Sequence, residues 1–174
     1  MTPTLTTHGP TTYLSVTGQG EPGGTEHVTA MQALYTVAAA MGTRPGPLEG
    51  QWWAEDERPA LEVPRDQWRW HLLLPLPAPQ DGQVERAREQ TRATCPAVDR
   101  VRLATVAEGQ CVELLHDGPF SEEHLSLKVM EEFIAEHDLA YNGLHHEIYL
   151  TPLDDPSPRT LLRQPVRPAA QSGS

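Results

Sequence analysis

Cysteine and basic residues are scarce in this sequence of 174 residues. The two cysteines, Cys95 and Cys111, stand apart rather than in a CxxC pair, which excludes a zinc-knuckle spacing and argues against a disulfide framework. We interpret them as buried thiols of a reduced, cytosolic protein. The chain has 13 lysines and arginines but 24 aspartates and glutamates, which gives a net charge of -11. Because no basic cluster interrupts this excess, a phosphate backbone would be repelled, and we expect no direct nucleic-acid binding.

Long apolar runs are missing as well. The opening stretch MTPTLTTHGP has neither the basic start nor the apolar run of a secretory signal. No stretch approaches the roughly 18 apolar residues of a membrane span. We therefore expect a cytoplasmic protein that does not contact a membrane.

The sequence also lacks the common motifs of metal, phosphate and serine chemistry. HExxH is absent, and the H-x-E pattern at His145 and Glu147 has no PCxxC partner. The adjacent His145 and His146 point to opposite faces of a regular strand, so they cannot share one ion. GQGEPGG (residues 18–24) has neither a P-loop lysine nor GxGxxG spacing, and no serine stands in GxSxG. We expect no metal and no cofactor.

The first half of the chain predicts a strand, a helix and two further strands. TYLSV (residues 12–16) alternates weakly, and residues 26–41 place apolar side chains at spacings of three and four, which predicts a helix. LEGQWW (residues 48–53) and the start of WRWHLLLPLP (residues 68–77) follow as strands. Residues 78–99 are polar and flanked by proline, and we interpret them as a connection with one short surface helix.

The second half predicts the same order. Two alternating runs meet at Glu108-Gly109, which predicts a hairpin. Ser121 is the predicted N-cap of a helix. Its expected buried face carries Leu125, Val129, Phe133 and Ile134. HHEIYL (residues 145–150) and RTLLRQPV (residues 159–166) then form strands, the second ended by Pro165.

The strand and helix patterns of the two halves correspond, and matching positions up to the end of the main helix are about 97 residues apart. This similarity indicates a duplication. We predict an α+β fold of two β-α-β-β repeats, each an antiparallel sheet with one main helix, related by a pseudo-twofold axis with a ligand cleft between them. Repeat one spans about 11–77 and repeat two about 100–167. Residues 168–174 are expected to be a disordered tail.

Three stretches carry a resemblance to a known family: LEGQWW, VAEGQCVELLHDGPFSEE and NGLHHEIYLTPLDDPSPRTLLRQPV. Through them residues 4–167 resemble a single GyrI-like small-molecule-binding domain. The chain is similar to a stand-alone member of the cyclopropanoid cyclopropyl hydrolase-type branch. The resemblance implies a pocket for planar aromatic, hydrophobic or cationic compounds with a central glutamate. By position that glutamate is Glu147.

The resemblance leaves three functions open. The protein can hydrolyse its ligand, opening the cyclopropane ring of a genotoxin for self-protection. It can instead sequester drugs or toxins without chemistry, or it can inhibit a protein partner such as DNA gyrase. We expect no attached DNA-binding module, because little chain lies before Thr12 or after Arg167.

Strand alternation places His145, Glu147 and Tyr149 on one face of HHEIYL. We expect Ile148 and Leu150 to face the helix-packed core, which turns Glu147 and Tyr149 toward the cleft with His145 at its rim. A carboxylate among aromatic rings loses hydration, so its pKa should rise and it can bind a cation or act as a general base. The alternative is a glutamate solvated on an open sheet face.

Aromatic side chains supply the other candidate ligand contacts. Trp52 aligns with Tyr149 in the repeat, so we expect it in the pocket wall together with Phe120, while Trp53 either packs in the core or joins the wall. These rings can stack on a flat or cationic ligand. In the enzyme hypothesis Glu147 activates water and Tyr35 assists at a ligand oxygen; otherwise Tyr35 is a core tyrosine.

Overall fold

The computed structural model describes residues 1–58 and 62–170 of the chain. The last four residues of the predicted tail lie outside the described residues. Within the described ranges the chain forms three α-helices: α1 (Thr25–Ala40), α2 (Gln83–Thr91) and α3 (Glu123–Glu136). It also forms nine strands: β1 (Thr4–His8), β2 (Thr11–Gln19), β3 (Glu49–Ala54), β4 (Trp68–Pro75), β5 (Arg102–Val106), β6 (Gly109–Asp117), β7 (Leu139–Tyr141), β8 (His145–Tyr149) and β9 (Arg159–Pro168).

The chain divides into two compact units. The first unit is Thr11–Val106, and the second combines Met1–Pro10 with the residues from Ala107 onward. The first unit has the chain order β2-α1-β3-β4 and the antiparallel strand order β3-β4-β2-β5. The second has β6-α3-β8-β9 and the antiparallel strand order β8-β9-β6-β1, with β7 also paired to β9. The predicted α+β class is confirmed, with antiparallel strands and the order β-α-β-β in each unit.

Helix α1 packs on an apolar face of the first unit. Its period of 3.6 residues aligns His27, Ala30, Leu34, Val37 and Ala38, all of which are buried. On the sheet, alternation places Trp70, Leu72 and Leu74 of β4 on the helix side, and all three are fully buried. The helix ends beside Gly42, whose positive φ of 70° is the left-handed conformation that terminates helices. Both ends agree with the predicted range to within one residue.

The second unit buries α3 against β6 and β9. Its core cluster consists of Val112, Leu114, Met130, Ile134, Leu162 and Val166. Helix α3 presents Ser126, Met130 and Ile134 to the sheet, one residue every turn. Leu125, which was predicted to lie on this face, is 57% exposed. The prediction was wrong by one position: the residues that meet the sheet, at every fourth place along the helix, begin at Ser126 and not at Leu125.

Two further local predictions were wrong. The runs around Glu108-Gly109 form β5 and β6, but they are not a hairpin, since β5 pairs with β2 and β6 pairs with β1 and β9. Alternation and a turn residue mark strands and a change of direction, but they do not say which strands become neighbours. Ser121 is not an N-cap: it lies inside a 3-10 turn, Phe120–Glu122, and the residue before α3 is Glu122.

The strands at the chain ends also differ from expectation. β1 and the three-residue β7 were not predicted, because short exposed strands carry too little alternation to be recognised. β9 runs through Pro165 to Pro168 rather than ending at the first proline. Proline removes one backbone donor, and the carbonyl of Pro165 still accepts a hydrogen bond from the Asn142 N–H at 2.8 Å.

Both cysteines are free thiols in the structure. Cys111 is fully buried, and burial raises the pKa of its thiol to about 12, with the Glu108 carboxylate adding to the effect. Such a thiol stays protonated and unreactive at neutral pH. Among the described residues, every helix is too short or too polar to cross a bilayer.

Candidate functional site in the second unit

Strand β8 places its chemistry-bearing side chains on the side of the sheet that α3 covers. Glu147 pairs with Leu162 of β9, and Leu162 pairs with Leu114 of β6. Directly paired residues of antiparallel strands share a face, and Leu114 and Leu162 both belong to the core cluster beneath α3. By alternation His145 and Tyr149 lie on this face as well.

This placement corrects the sequence argument about β8. Ile148 lies on the face opposite α3, and Leu150 lies beyond the end of the strand, where it is 45% exposed. The prediction assumed one wet face and one packed face. Both faces of β8 are covered, since His146 and Glu147 on opposite sides are each buried. Alternation separates two faces of a strand, but it cannot say which face meets the helix when both carry polar residues.

The Glu147 carboxylate is held by a hydrogen bond at each oxygen. The Tyr149 hydroxyl donates to Oε1 at 3.0 Å. His145 Nε2 lies 3.0 Å from Oε2, a distance at which an N–H of the imidazole donates to the carboxylate. The Glu147 side chain is only 10% exposed. A carboxylate so enclosed keeps a fixed orientation and still has free lone pairs for one more donor.

Helix α3 adds a third group to this pair. Glu123, the first residue of α3, brings its Oε1 to 3.8 Å from the same His145 nitrogen. The side chains of His145 and Glu123 are 24% and 13% exposed, so the cluster is partly screened from water. Sequence reasoning missed Glu123, because nothing in the pattern of α3 shows which strand its first turn meets. The spacing of about 22 residues to His145 is far beyond local motifs.

Tyr149, which binds Glu147 through its hydroxyl, also forms an aromatic pair. The rings of Phe120 and Tyr149 meet edge to face, with centroids 6.1 Å apart and planes at 76°. Tyr149 is buried, while Phe120, in the 3-10 turn before α3, is 40% exposed. The second unit therefore brings together four of the residues singled out in the sequence: His145, Glu147, Tyr149 and Phe120.

The other three candidates belong to the first unit. Trp52 of β3 pairs with Trp70 of β4, and its ring meets His27 at 5.6 Å and Trp68 at 6.2 Å. His27 Nε2 is buried, has no hydrogen-bond partner among the described residues, and its pKa is lowered by burial. Trp52 holds in its unit the register position that Tyr149 holds in the other, as the duplication predicts.

Trp53 and Tyr35 have different surroundings. Trp53 lies on the opposite face of β3 from Trp52, with its ring 4.6 Å from that of His71. Tyr35 lies on α1 and is 47% exposed, away from the buried face of the helix. Burial of the remaining part raises the pKa of its phenol, so the hydroxyl keeps its proton at neutral pH. The roles predicted for these residues and for Trp52 stay predictions.

The far face of the second unit carries a buried ionic network that the sequence did not indicate. Arg163 of β9 donates to Glu113 at 2.6 Å and to Glu108 at 3.1 Å. His146 is fully buried and lies 2.9 Å from Glu108. His8 of β1 reaches Glu113 at 3.1 Å. The partners are separated by 38 to 105 residues in sequence, so only the strand order joins them.

Burial and pairing oppose each other at Glu108. Burial would raise the pKa of this carboxyl, but the hydrogen bonds and charges of His146 and Arg163 outweigh it and hold the pKa below its ordinary value. Glu108 is therefore ionised in the folded protein, and its charge is compensated.

We expect acid to destabilise the protein partly through Glu108. The unfolded chain takes up the proton at about pH 4.3, whereas the folded form resists it. The stabilisation is complete above that pH and is lost as the pH falls through the lower folded pKa. Urea unfolding at pH 7 and between pH 5 and 3 should show the free energy of unfolding declining. The decline should be shallower in Glu108→Gln, and an equal slope in both proteins would contradict the assignment.

Among the described residues, the cluster formed by Glu147, His145 and Glu123 is the group of side chains that could hold a metal ion. One ligand atom from each of Glu123, His145 and Glu147 lies within 4.8 Å of the others. The 3.0 Å contact between His145 and Glu147 is equally a hydrogen-bonded pair that requires no ion. The sequence argument for the absence of a metal did not include Glu123, and it stays a prediction.

Comparison with known proteins identifies relatives among solved structures. A crystal structure of an uncharacterized conserved protein from Listeria innocua is 33% identical, with a TM-score of 0.86, over 95% of this chain and 92% of that one. Two crystal structures of a hydrolase from Listeria innocua are 31% and 32% identical, with TM-scores of 0.82 and 0.84 and the same coverage. No protein-family model and no curated protein matches the chain.

A more distant likeness concerns the fold alone. The C-terminal domain of EcmrR superimposes with a TM-score of 0.67 at 8% identity, over 96% of this chain and 98% of that domain. This fold is consistent with the GyrI-like domain that the sequence motifs indicated. With about a third of its residues identical over nearly the full length of both chains, the protein belongs to the same family as the Listeria innocua proteins.

Proposed function

We propose that the protein binds a planar aromatic or cationic small molecule beside Glu147 and hydrolyses it. The observation that carries the proposal is the Glu147 carboxylate, 10% exposed and hydrogen-bonded at both oxygens, one of them by Tyr149, whose ring meets that of Phe120. An enclosed carboxylate with a fixed orientation and a free lone pair can accept the proton of a bound water. The two crystal structures of a Listeria innocua hydrolase of the same family support the reaction class.

The aromatic pair fits a flat ligand. The partly exposed Phe120 ring offers an apolar surface beside Tyr149, the residue whose hydroxyl binds the Glu147 carboxylate. A cation held there gains both from the ring faces and from the carboxylate. Glu147 can thus serve as a counter-charge in binding and as a base in chemistry.

The substrate class that we propose is a cyclopropane joined to a dienone, as in cyclopropanoid genotoxins. Water attacks the strained ring carbon, and the carbon–carbon bond breaks with its electron pair moving through the dienone to the oxygen. That oxygen takes up a proton and becomes a phenol, while Glu147 accepts the proton released by the water. The net change is the addition of one water. The prediction that Tyr35 supplies a donor to the ligand oxygen remains part of this proposal.

Incubation with a cyclopropane–dienone DNA alkylator tests this function. We expect the wild-type protein to produce the water adduct catalytically, measured by mass spectrometry against a protein-free control that corrects for spontaneous solvolysis. Calorimetric titration with the same compound and with planar cations measures binding separately. Saturable binding without product would replace hydrolysis by sequestration, and the absence of binding across the panel would overturn both functions.

A further inference from the structure

Glu123 lies close to His145, but the proposed reaction gives it no role. It is the first residue of α3, it is 13% exposed, and its nearest ionic partner in the described structure is His145 Nε2 at 3.8 Å. A glutamate at the start of a helix commonly points into water, where it interacts with the helix dipole at little desolvation cost. Glu123 instead turns inward toward the site.

The geometry places one imidazole nitrogen between two carboxylates. His145 Nε2 is 3.0 Å from Glu147 Oε2 on its own strand and 3.8 Å from Glu123 Oε1 on the helix. Within the part of the chain that the structure describes, these two carboxylates, one from β8 and one from α3, are the ionic partners of the ring. The hydrogen bond to Glu147 favours the ring form that carries its proton on Nε2, because only an N–H can donate to a carboxylate. The negative charge of Glu123, at 3.8 Å, favours the same form through electrostatic attraction.

We propose that Glu123 is a positioning residue that holds His145 against Glu147. A histidine on a strand turns about two side-chain bonds, and at 24% exposure the His145 ring has room to swing toward water. Glu123 removes that freedom from the helix side. His145 then fixes Oε2 while Tyr149 fixes Oε1, which leaves the remaining lone pairs of Glu147 aimed at one place.

This inference rests on the proposed function for its kinetic consequence but not for its structural one. In the enzyme, the gain is a base that stays in one orientation through the reaction. In the protein without substrate, the consequence is that His145 adopts a single tautomer and a single rotamer. The two consequences are measured independently.

Glu123→Gln tests the proposal, with Glu122→Gln, its exposed neighbour, as the matched control. In the ring-opening assay we expect kcat to fall about tenfold and KM to change less than twofold. A misplacement of about 1 Å can cost roughly 100-fold, and the loss here is smaller because Tyr149 still holds one oxygen. Glu122→Gln should leave both constants unchanged. An unaltered kcat in Glu123→Gln would overturn the proposal.

A double substitution separates positioning from a general structural role. If Glu123 acts through His145, Glu123→Gln should have no further effect on kcat in a His145→Ala background. His145→Gln, whose amide can still donate to Glu147, should recover part of the activity lost in His145→Ala. Additive losses in the double variant would overturn the assignment.

Nitrogen-15 NMR of the histidine rings supplies the readout that needs no activity. The His145 signals, assigned by their absence in His145→Gln, should report the proton on Nε2 in the wild type and a mixture of tautomers in Glu123→Gln. If this holds without any hydrolysis, the proposed function fails and the positioning stands. If hydrolysis occurs but neither kcat nor the tautomer responds to Glu123→Gln, the positioning fails alone. Loss of activity on dialysis against a chelator, with recovery on adding Zn²⁺ or Mn²⁺, would make the three side chains metal ligands and overturn the proposal.

Discussion

Replacement of Arg163 by methionine should lower the free energy of unfolding by about 3–5 kcal/mol. Arg163 is the cation between Glu108 and Glu113, with contacts of 3.1 and 2.6 Å, and the arginine side chain is 10% exposed. Methionine keeps much of the volume but removes the charge. Among the described residues, the two buried carboxylates then keep only their contacts with His146 and His8, and desolvated charges with too few partners are costly. Urea unfolding at pH 7 measures the difference.

A surface pair provides the control for this substitution. Arg92 and Asp99 are joined at 2.7 Å, nearly the distance of the Arg163–Glu113 contact, but both side chains are about half exposed. Arg92→Met should cost less than about 1 kcal/mol. Adding Glu108→Gln and Glu113→Gln to Arg163→Met should recover part of the loss, since the unpaired charges disappear. Equal effects of the two arginine substitutions would show that burial of the network contributes nothing.

Replacement of Glu147 by glutamine should lower kcat for ring opening by about 10²- to 10⁴-fold. Glutamine has the size of glutamate and its amide oxygen can still accept the Tyr149 hydroxyl, but it cannot take up the proton of a water. The dissociation constant of an uncharged ligand should change by only a few-fold. A cationic ligand should bind more weakly, because its counter-charge is gone. Single-turnover kinetics and calorimetry together separate chemistry from binding.

Glu132→Gln is the matched control for Glu147→Gln. Glu132 is an exposed glutamate of α3, so this substitution changes the net charge equally without touching the site. Its kcat should equal that of the wild type. A Glu147→Gln variant with kcat within threefold of the wild type would remove Glu147 from the chemistry and leave it as a binding group.

The regular elements could be predicted because local patterns determine them. The apolar spacing of α1, the glycine after its end and the alternation in β4 and β9 each depend on neighbours within a few residues. The duplication followed from comparing such local patterns, and it correctly paired Trp52 with Tyr149. The motifs that resemble the GyrI-like family indicated Glu147, and the structure places that residue in an enclosed polar cluster.

The errors with the largest consequences concern contacts between distant parts of the chain. Glu108 was assigned to a hairpin turn, yet its carboxylate meets Arg163, 55 residues further on. The face of β8 was assigned by assuming one dry side, whereas ion pairs allow both sides to be buried. The contact between Glu123 and His145 could not be predicted, because the sequence of a helix does not show at what angle the helix packs on its sheet.

The sequence by itself determined where helices and strands lie, that they repeat, and which glutamate to single out. The first two features depend on side-chain periodicity and residue type, which are properties of short segments, whereas Glu147 was singled out by the resemblance to the GyrI-like family. Strand alternation had already placed His145 and Tyr149 on the same face as that glutamate, but only the tertiary structure showed which oxygen each of them binds and brought Glu123 of α3 to the His145 ring. Hydrogen bonds and ion pairs require atoms within about 3 to 4 Å, and strand order and helix packing bring Glu123, as well as the Glu108 and Arg163 pair, to that distance.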